Sequence, residues 1–278
     1  MPSASLLPLL LLVAAGVVVL LLIVGQPAWR RRRRDRIARQ PFPAAWRRIL
    51  RRRVPQAGRL PPPLQRQLQG LIQVFVAEKA FIGCQGLRIT DEMRVTIAAQ
   101  ACLLLLNRSH DFFGGLRQVL VYPCAFVVQR VHTGPGGVLQ DRRQALSGES
   151  WSQGQVILSW EDVLHGAADP GDGRNVVLHE FAHQLDQAEG SANGAPPLGS
   201  RQRHARWATV MNAEFQRLHR QLQWGEPTLL GEYAATDPAE FFAVATEVFF
   251  EQPALLAQES PALYDELRSY YHARGSTW

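Results

Sequence analysis

The sequence predicts an α+β protein: a mostly helical domain with a small β-sheet, preceded by one transmembrane helix. Three observations carry that expectation. Residues 6–24 are almost entirely Leu, Val, Ala and Ile, interrupted only by Pro8 and Gly16. That run is close to the ~20 residues needed to cross a bilayer core. Beyond residue 60, several long stretches repeat apolar residues at helical spacing, whereas the runs that read as strands, 119–122, 125–128 and 155–160, are few and short.

Residues 1–29 carry no charged side chain. No basic segment precedes the apolar run and no Ala-x-Ala site follows it, so a retained anchor is expected over a cleaved signal. Next come twelve arginines against one aspartate, from Arg30 to Arg53. The positive-inside rule puts such a segment on the cytoplasmic side. The expectation is a single-pass protein of the inner (cytoplasmic) membrane with its globular part facing the cytoplasm. Residues 6–24 and the Arg-rich segment would contact membrane lipids. The whole chain is only +6, so the part beyond residue 53 is net negative. The basic character belongs to the juxtamembrane segment, and a nucleic-acid partner is not expected. The division predicted is an anchor over 1–29, an Arg-rich linker over 30–60 and one globular domain over 61–278. Cys84, Cys102 and Cys124 are odd in number and widely spaced, which predicts reduced, mostly buried thiols and no disulfide framework.

Along the globular part, Pro61, Pro62 and Pro63 favour an extended end to the linker. Leu64, Leu68, Leu71, Ile72, Phe75 and Val76 then follow helical spacing. Thr90, Asp91 and Glu92 make a helix start, and 93–106 is apolar enough to be buried all round. Residues 131–150 read as a loop or exposed hairpin. The run 155–160 reads either as an ordinary core strand or as a sheet edge on which an extended peptide adds. Helices are expected over 203–222, from Pro238 to about Glu251 with Asp237 as N-cap, and over 264–272.

Residues 179–183 read His-Glu-x-x-His. Residues four apart lie on one helix face, so His179 and His183 can turn both imidazoles to a single ion. Glu180 is offset by about 100°, beside that ion without occupying a ligand position. Two neutral imidazoles suit Zn2+, and an adjacent carboxylate suits general-base hydrolysis. Random placement at this composition predicts roughly 0.01 such motifs. The flanking Val176, Val177, Leu178, Phe181, Ala182 and Leu185 are apolar, as a buried helix requires, and Asn175 marks its start.

A catalytic zinc site keeps three protein ligands and one open position. Candidates for the third are Asp186, Glu189, His204, Glu240 and Glu247. Glu240 is preferred because it sits on a separate apolar helix where a carboxylate needs a reason to be present. On the residues alone the alternative stands level: Asp237 and Glu240 also have capping-box spacing. Glu247, seven residues on, reads either as a group orienting a metal histidine or as a solvated face residue.

The run LHEFAHQLD at 178–186, then Gly190, Asn193, Gly194, Pro196 and Pro197, then YAATDPAEFFAVATE at 233–247, resembles the Mlc titration factor A family of zinc peptidases. The resemblance extends over about 64–271. It implies a zincin-type metallopeptidase domain of the gluzincin kind over 61–278. It further implies Zn2+ ligands at His179, His183 and Glu240, a general base at Glu180 and a transition-state hydroxyl at Tyr233, seven residues before Glu240 as in lethal-factor-type enzymes. Aminopeptidase activity on a peptide or protein substrate, and binding of a cytoplasmic regulatory protein, the glucose repressor Mlc, are the functions the family carries. The apolar N-terminus and the Arg-rich segment depart from the soluble members. The expected protein is therefore a membrane-anchored zinc metallopeptidase. The alternative is a regulatory binding module that sequesters a cytoplasmic protein such as a transcriptional repressor, with weak or vestigial peptidase activity.

Overall fold

The computed structural model describes residues 6–108, 111–133, 139–146, 148–151 and 154–272. The chain divides into two units, Met1–Pro41 and Phe42–Trp278. The first contains α1 (Leu6–Ala38), a 33-residue helix. The expected transmembrane helix is corrected here: among the described residues, no helix is long and apolar enough to cross a membrane. The apolar run 6–24 does not stand as an element of its own. It is the first part of a helix that continues without a break through Pro27 and the arginines Arg30 to Arg36. The expected inner-membrane placement with the globular part facing the cytoplasm rests on that span and is corrected with it.

The second unit is α+β and mostly helical. In chain order it runs α2 (Ala44–Arg53), α3 (Gln56–Arg59), α4 (Pro62–Glu78), β1 (Ala80–Gly83), α5 (Asp91–Leu103), β2 (Gln118–Tyr122), β3 (Phe126–Thr133), β4 (Leu139–Leu146), β5 (Gly148–Trp151) and β6 (Gln155–Ser159). It continues with α6 (Trp160–Ala168), α7 (Val176–Asp186), α8 (Arg201–Gln223), α9 (Pro238–Glu251), α10 (Pro253–Glu259) and α11 (Pro261–Tyr270). The proline run behaves differently from expectation. Pro61 is extended, but Pro62 and Pro63 occupy the first turn of α4, where a missing N–H costs nothing because those amides have no intrahelical partner.

Among the described residues a four-stranded sheet has the order β1-β2-β6-β5. Its first three strands are parallel, with Phe81 opposite Val119 and Val119 opposite Val156, while β5 runs antiparallel to β6. Between β2 and β6 the chain makes the β3–β4 hairpin, with Phe126 paired to Leu146 and Thr133 to Leu139. Residues 134–138 and 147, within the expected loop or hairpin, lie outside the described residues. Because β6 is paired on both sides, the core-strand reading holds for 155–159, while Trp160 already opens α6. The peptide-adding edge is not there; the sheet ends at β1 and β5.

Helices α5 and α9 are buried all round beyond their first turns, as their apolar runs 95–103 and 241–250 demand. Val95, Ile97, Ala98 and Cys102 of α5 and Phe242 and Phe249 of α9 have no exposed surface. Between them α7 turns Phe181 into a cluster with Phe75 and Phe113, whose ring lies 4.9 Å away at 71°. That contact fixes the rotation of α7 and leaves its histidine face free to meet α9. Of the three free thiols only Cys102 is buried; Cys84 is half-buried and Cys124 exposed, so the expectation of mostly buried thiols holds for one.

The segment carrying Phe113 is pinned by the chain's one lysine. Phe112 and Phe113 both adopt left-handed backbone, at φ 62° and 52°, which bulky side chains rarely tolerate. Lys79 is buried at the end of α4, and its Nζ donates to the carbonyls of Phe113 at 2.6 Å and Leu116 at 2.8 Å. Lys79→Met keeps the stem but removes both hydrogen bonds, leaving the Phe113 carbonyl with only the Leu116 N–H and the Leu116 carbonyl without this donor, and should lower unfolding stability by about 1–3 kcal/mol. Urea denaturation of the two proteins measures the difference.

Candidate active site

Asn175 begins the site by capping α7. Its Oδ1 accepts the N–H groups of Val177 and Leu178, both at 3.1 Å. Its Nδ2 donates to Gln100 Oε1 at 2.7 Å, Glu251 Oε1 at 3.0 Å and the Gly166 carbonyl at 3.1 Å. Its own N–H donates to Glu247 Oε2 at 2.5 Å. One buried residue thus ties α5, α6, α7 and α9 together. Asn175 is legible in the sequence as a helix boundary, but Gln100 and Glu251 are not legible as its partners. The signal they offer is a polar side chain inside an otherwise apolar helix.

On α7, His179 and His183 stand one turn apart with ring centroids 4.9 Å apart and their Nε2 atoms 3.2 Å apart. From α9, Glu240 brings Oε2 to 3.0 Å from His179 Nε2 and 3.5 Å from His183 Nε2. Asp237 caps α9 alone, accepting from Ala239 N–H at 2.8 Å and Glu240 N–H at 3.0 Å. The Glu240 carboxylate is turned to the histidines and does not reach back to the helix start. Glu247, two turns further along α9, accepts from His179 Nδ1 at 2.8 Å, so its two oxygens hold the cap residue and the first histidine of the same helix.

This donor set fits a small divalent cation. Tetrahedral zinc with bonds of about 2.0–2.1 Å places neighbouring ligand atoms about 3.3 Å apart. The three donor atoms here are separated by 3.2, 3.0 and 3.5 Å. Among the described residues, His179, His183 and Glu240 form the one group able to hold a metal ion. The electrostatics agree. Burial opposes charge on the His179 ring, yet Glu240 and Glu247 hold its pKa well above the usual imidazole value. Burial likewise works to raise the Glu240 carboxyl, but hydrogen bonds and charge from the two imidazoles hold it far below the ordinary carboxylate range. The two carboxylates call for positive charge at the point where a divalent cation would supply it.

Glu180 is buried beside this group, and burial pushes its carboxyl up to about 7 against the pull of the two histidines. Tyr233 precedes α9 in a short 3-10 turn, its ring centroid 5.8 Å from that of His179. Burial, then the charge of Glu240 and a hydrogen bond to it, raise the phenol far above its usual value, so it remains a donor at neutral pH. With 53% of its surface exposed, Tyr233 is reachable from solvent. The other third-ligand candidates are elsewhere. Asp186 is buried at the end of α7 and accepts from the N–H groups of Asn193 and Gly194. His204 is exposed on α8, its Nδ1 at 2.9 Å from the Ser200 carbonyl. The side chain of Glu189 lies outside the described residues.

Comparison with known proteins gives this arrangement a family. A sequence model of the glucose-regulated metallo-peptidase M90 family matches residues 28–272. An uncharacterized protein of Synechocystis sp. is 41% identical over 248 residues, covering 89% of this chain and 90% of that protein. Mlc titration factor A of Klebsiella pneumoniae is 34% identical over 220 residues, covering 78% and 82% of the two chains. Mlc titration factor A of Serratia proteamaculans is 36% identical over 220 residues, covering 76% and 82%. The chain therefore belongs to the glucose-regulated metallo-peptidase M90 family, which it shares with the Mlc titration factor A proteins.

Proposed function

We propose that this protein is a zinc-dependent peptidase whose metal is held by His179, His183 and Glu240. The observation that supports this most strongly is the convergence of three donor atoms at ligand-like spacing, with a buried carboxylate and a phenol beside them. When bound, zinc supplies Lewis-acid polarisation to a peptide carbonyl and to the attacking water. Glu180 takes the proton from that water and delivers it to the departing amine. Tyr233 donates its O–H to the oxyanion that develops on the carbonyl, an interaction made only as the transition state forms. Glu247 holds the His179 ring through Nδ1, which leaves Nε2 as the coordinating atom. The catalytic role is assigned to residues 61–278, which contain every one of these groups. The family relationship favours aminopeptidase-like cleavage, in which a free amino terminus is part of the substrate.

A second reading draws on the printed names of the relatives. Several are called Mlc titration factor A, a name that describes stoichiometric binding of a regulator. On that reading this chain binds a cytoplasmic regulatory protein, and cleavage is vestigial. The two readings separate on one comparison: a binding module keeps its partner when Glu180 is changed to Gln, and neither form cleaves peptides.

Glu180→Gln should keep zinc and lose about 10²–10⁴-fold in turnover, the ordinary worth of a positioned base. Paired metal analysis and peptide hydrolysis test this, and full turnover with zinc retained removes the assignment. Tyr233→Phe should lower kcat by about 10²–10³-fold with KM little changed. Dialysis against a chelator should abolish hydrolysis and added Zn2+ restore it; activity that survives metal removal contradicts the proposal. Glu247→Ala should weaken zinc binding about 10–100-fold without touching the ion, read by competition with a chromophoric chelator. Cleavage of free but not N-blocked peptides establishes an aminopeptidase, and cleavage of both establishes an endopeptidase.

A further inference from the structure

Asp186, the last residue of α7, is the part of the histidine motif that the chemistry above leaves unused. Its Oδ2 accepts the N–H groups of Asn193 at 2.8 Å and Gly194 at 2.7 Å. The loop after α7 is thereby folded back onto the helix that carries both histidines. Gly194 is engaged on its other sides too. Its carbonyl accepts the indole N–H of Trp207 at 2.8 Å, and that buried ring packs 5.6 Å from Phe242 of α9. Its Cα faces the first residue of α9: a Cβ there would stand 2.3 Å from the Pro238 carbonyl oxygen. At φ +77° the backbone also disfavours any side chain. Gly194 is therefore the thinnest possible spacer between the C-terminal end of α7 and the start of α9, two residues before Glu240. The far ends of the same pair are joined by Glu247 and Glu251 on Asn175.

We propose that Asp186, Gly194 and Trp207 form a clasp that sets the approach of α9 to α7 and so positions the Glu240 carboxylate against His179 and His183. The inference rests on the metal-site reading given above. Asp186 and Gly194 are not among the three metal-donor residues; they are positioning residues, and their effect on the metal passes through Glu240. An added methyl at Gly194 meets backbone, not a yielding side chain, so the start of α9 must move. A displacement of about 1 Å is enough to spoil a ligand set built for bonds of about 2 Å.

The test is a double-mutant cycle on the full chain, with Zn2+ affinity measured by chelator competition, the visible spectrum of the Co2+ form, and circular dichroism as the check on folding. Gly194→Ala should weaken Zn2+ binding about 10–100-fold when Glu240 is present. In the Glu240→Ala background the same change should cost less than about twofold, because the group it positions is gone. The Co2+ bands should shift in Gly194→Ala and remain as in Glu240→Ala when both changes are made. Trp207→Phe removes the indole N–H but keeps an aromatic ring, and should act in the same direction and only with Glu240 present. Asp186→Asn retains an oxygen acceptor and should bind Zn2+ more tightly than Asp186→Ala. Should Gly194→Ala fail to fold, the Trp207 and Asp186 variants decide by the same criteria. A folded clasp variant with wild-type Zn2+ affinity, or an equal loss with and without Glu240, overturns the clasp alone. Equal Zn2+ affinity in the wild type and Glu240→Ala instead removes the metal-site reading, and the clasp with it.

Discussion

A carboxylate carried into the protein interior on an apolar helix must have its charge met there, and Glu247 has it met twice by the same partner helix. One oxygen accepts the N–H of Asn175, the residue that starts α7, and the other faces His179 Nδ1 one turn later. Burying α9 against α7 without those two partners would cost several kcal/mol. The pairing therefore fixes both the position of α9 along α7 and the direction of the imidazole. Everything else at the site follows from that register. With His179 turned by Glu247, its Nε2 faces the same point as His183, and Glu240, seven residues before Glu247 on α9, falls opposite both.

The rest of the molecule supports that pair of helices. Phe181 lies on the far side of α7 from the histidines, and its packing on Phe75 and Phe113 sets the rotation of the helix. Lys79 donates to the carbonyl of Phe113, whose backbone is left-handed, and so braces that segment. Asn175 gathers Gln100 and Glu251 around the start of α7, so polar groups on three apolar helices are spent on one another. The sheet contributes less to the chemistry than to the frame: β6 ends at Ser159, whose hydroxyl caps α6, and α6 leads directly to Asn175 and α7.

Much of the site is legible in the sequence because it depends on short-range geometry. Two histidines four apart on a helix face one point whatever surrounds them, and Asp237-Pro238 starts a helix on local grounds alone. The spacing of Glu240 and Glu247 was equally readable, yet it left each residue with two meanings. Which one holds depends on where α9 docks, and no periodicity encodes that. The same limit applies to Asp186: its identity suggests a ligand, while its burial against the Asn193 and Gly194 amides gives it another task. Short elements that follow other elements closely, β1 after α4, α6 after β6 and α10 after α9, were not legible, since they lack enough residues to show a period. The apolar run 6–24 misled for a related reason. Its composition reads as a span, yet among the described residues no helix is long and apolar enough to cross a membrane, and the helix that holds the run continues through the arginines to Ala38.

On the proposed function, His179, His183 and Glu240 together bind zinc as the ligands of a peptidase. Zinc-edge X-ray absorption on the metal-loaded full chain tests it most directly, because it reads the ligand atoms themselves. Two imidazole nitrogens and carboxylate oxygen are expected at about 2.0–2.1 Å, with no sulfur, and with loss of that oxygen in Glu240→Ala. Sulfur scattering at about 2.3 Å, or a spectrum unchanged by removal of His183 or Glu240, would contradict it.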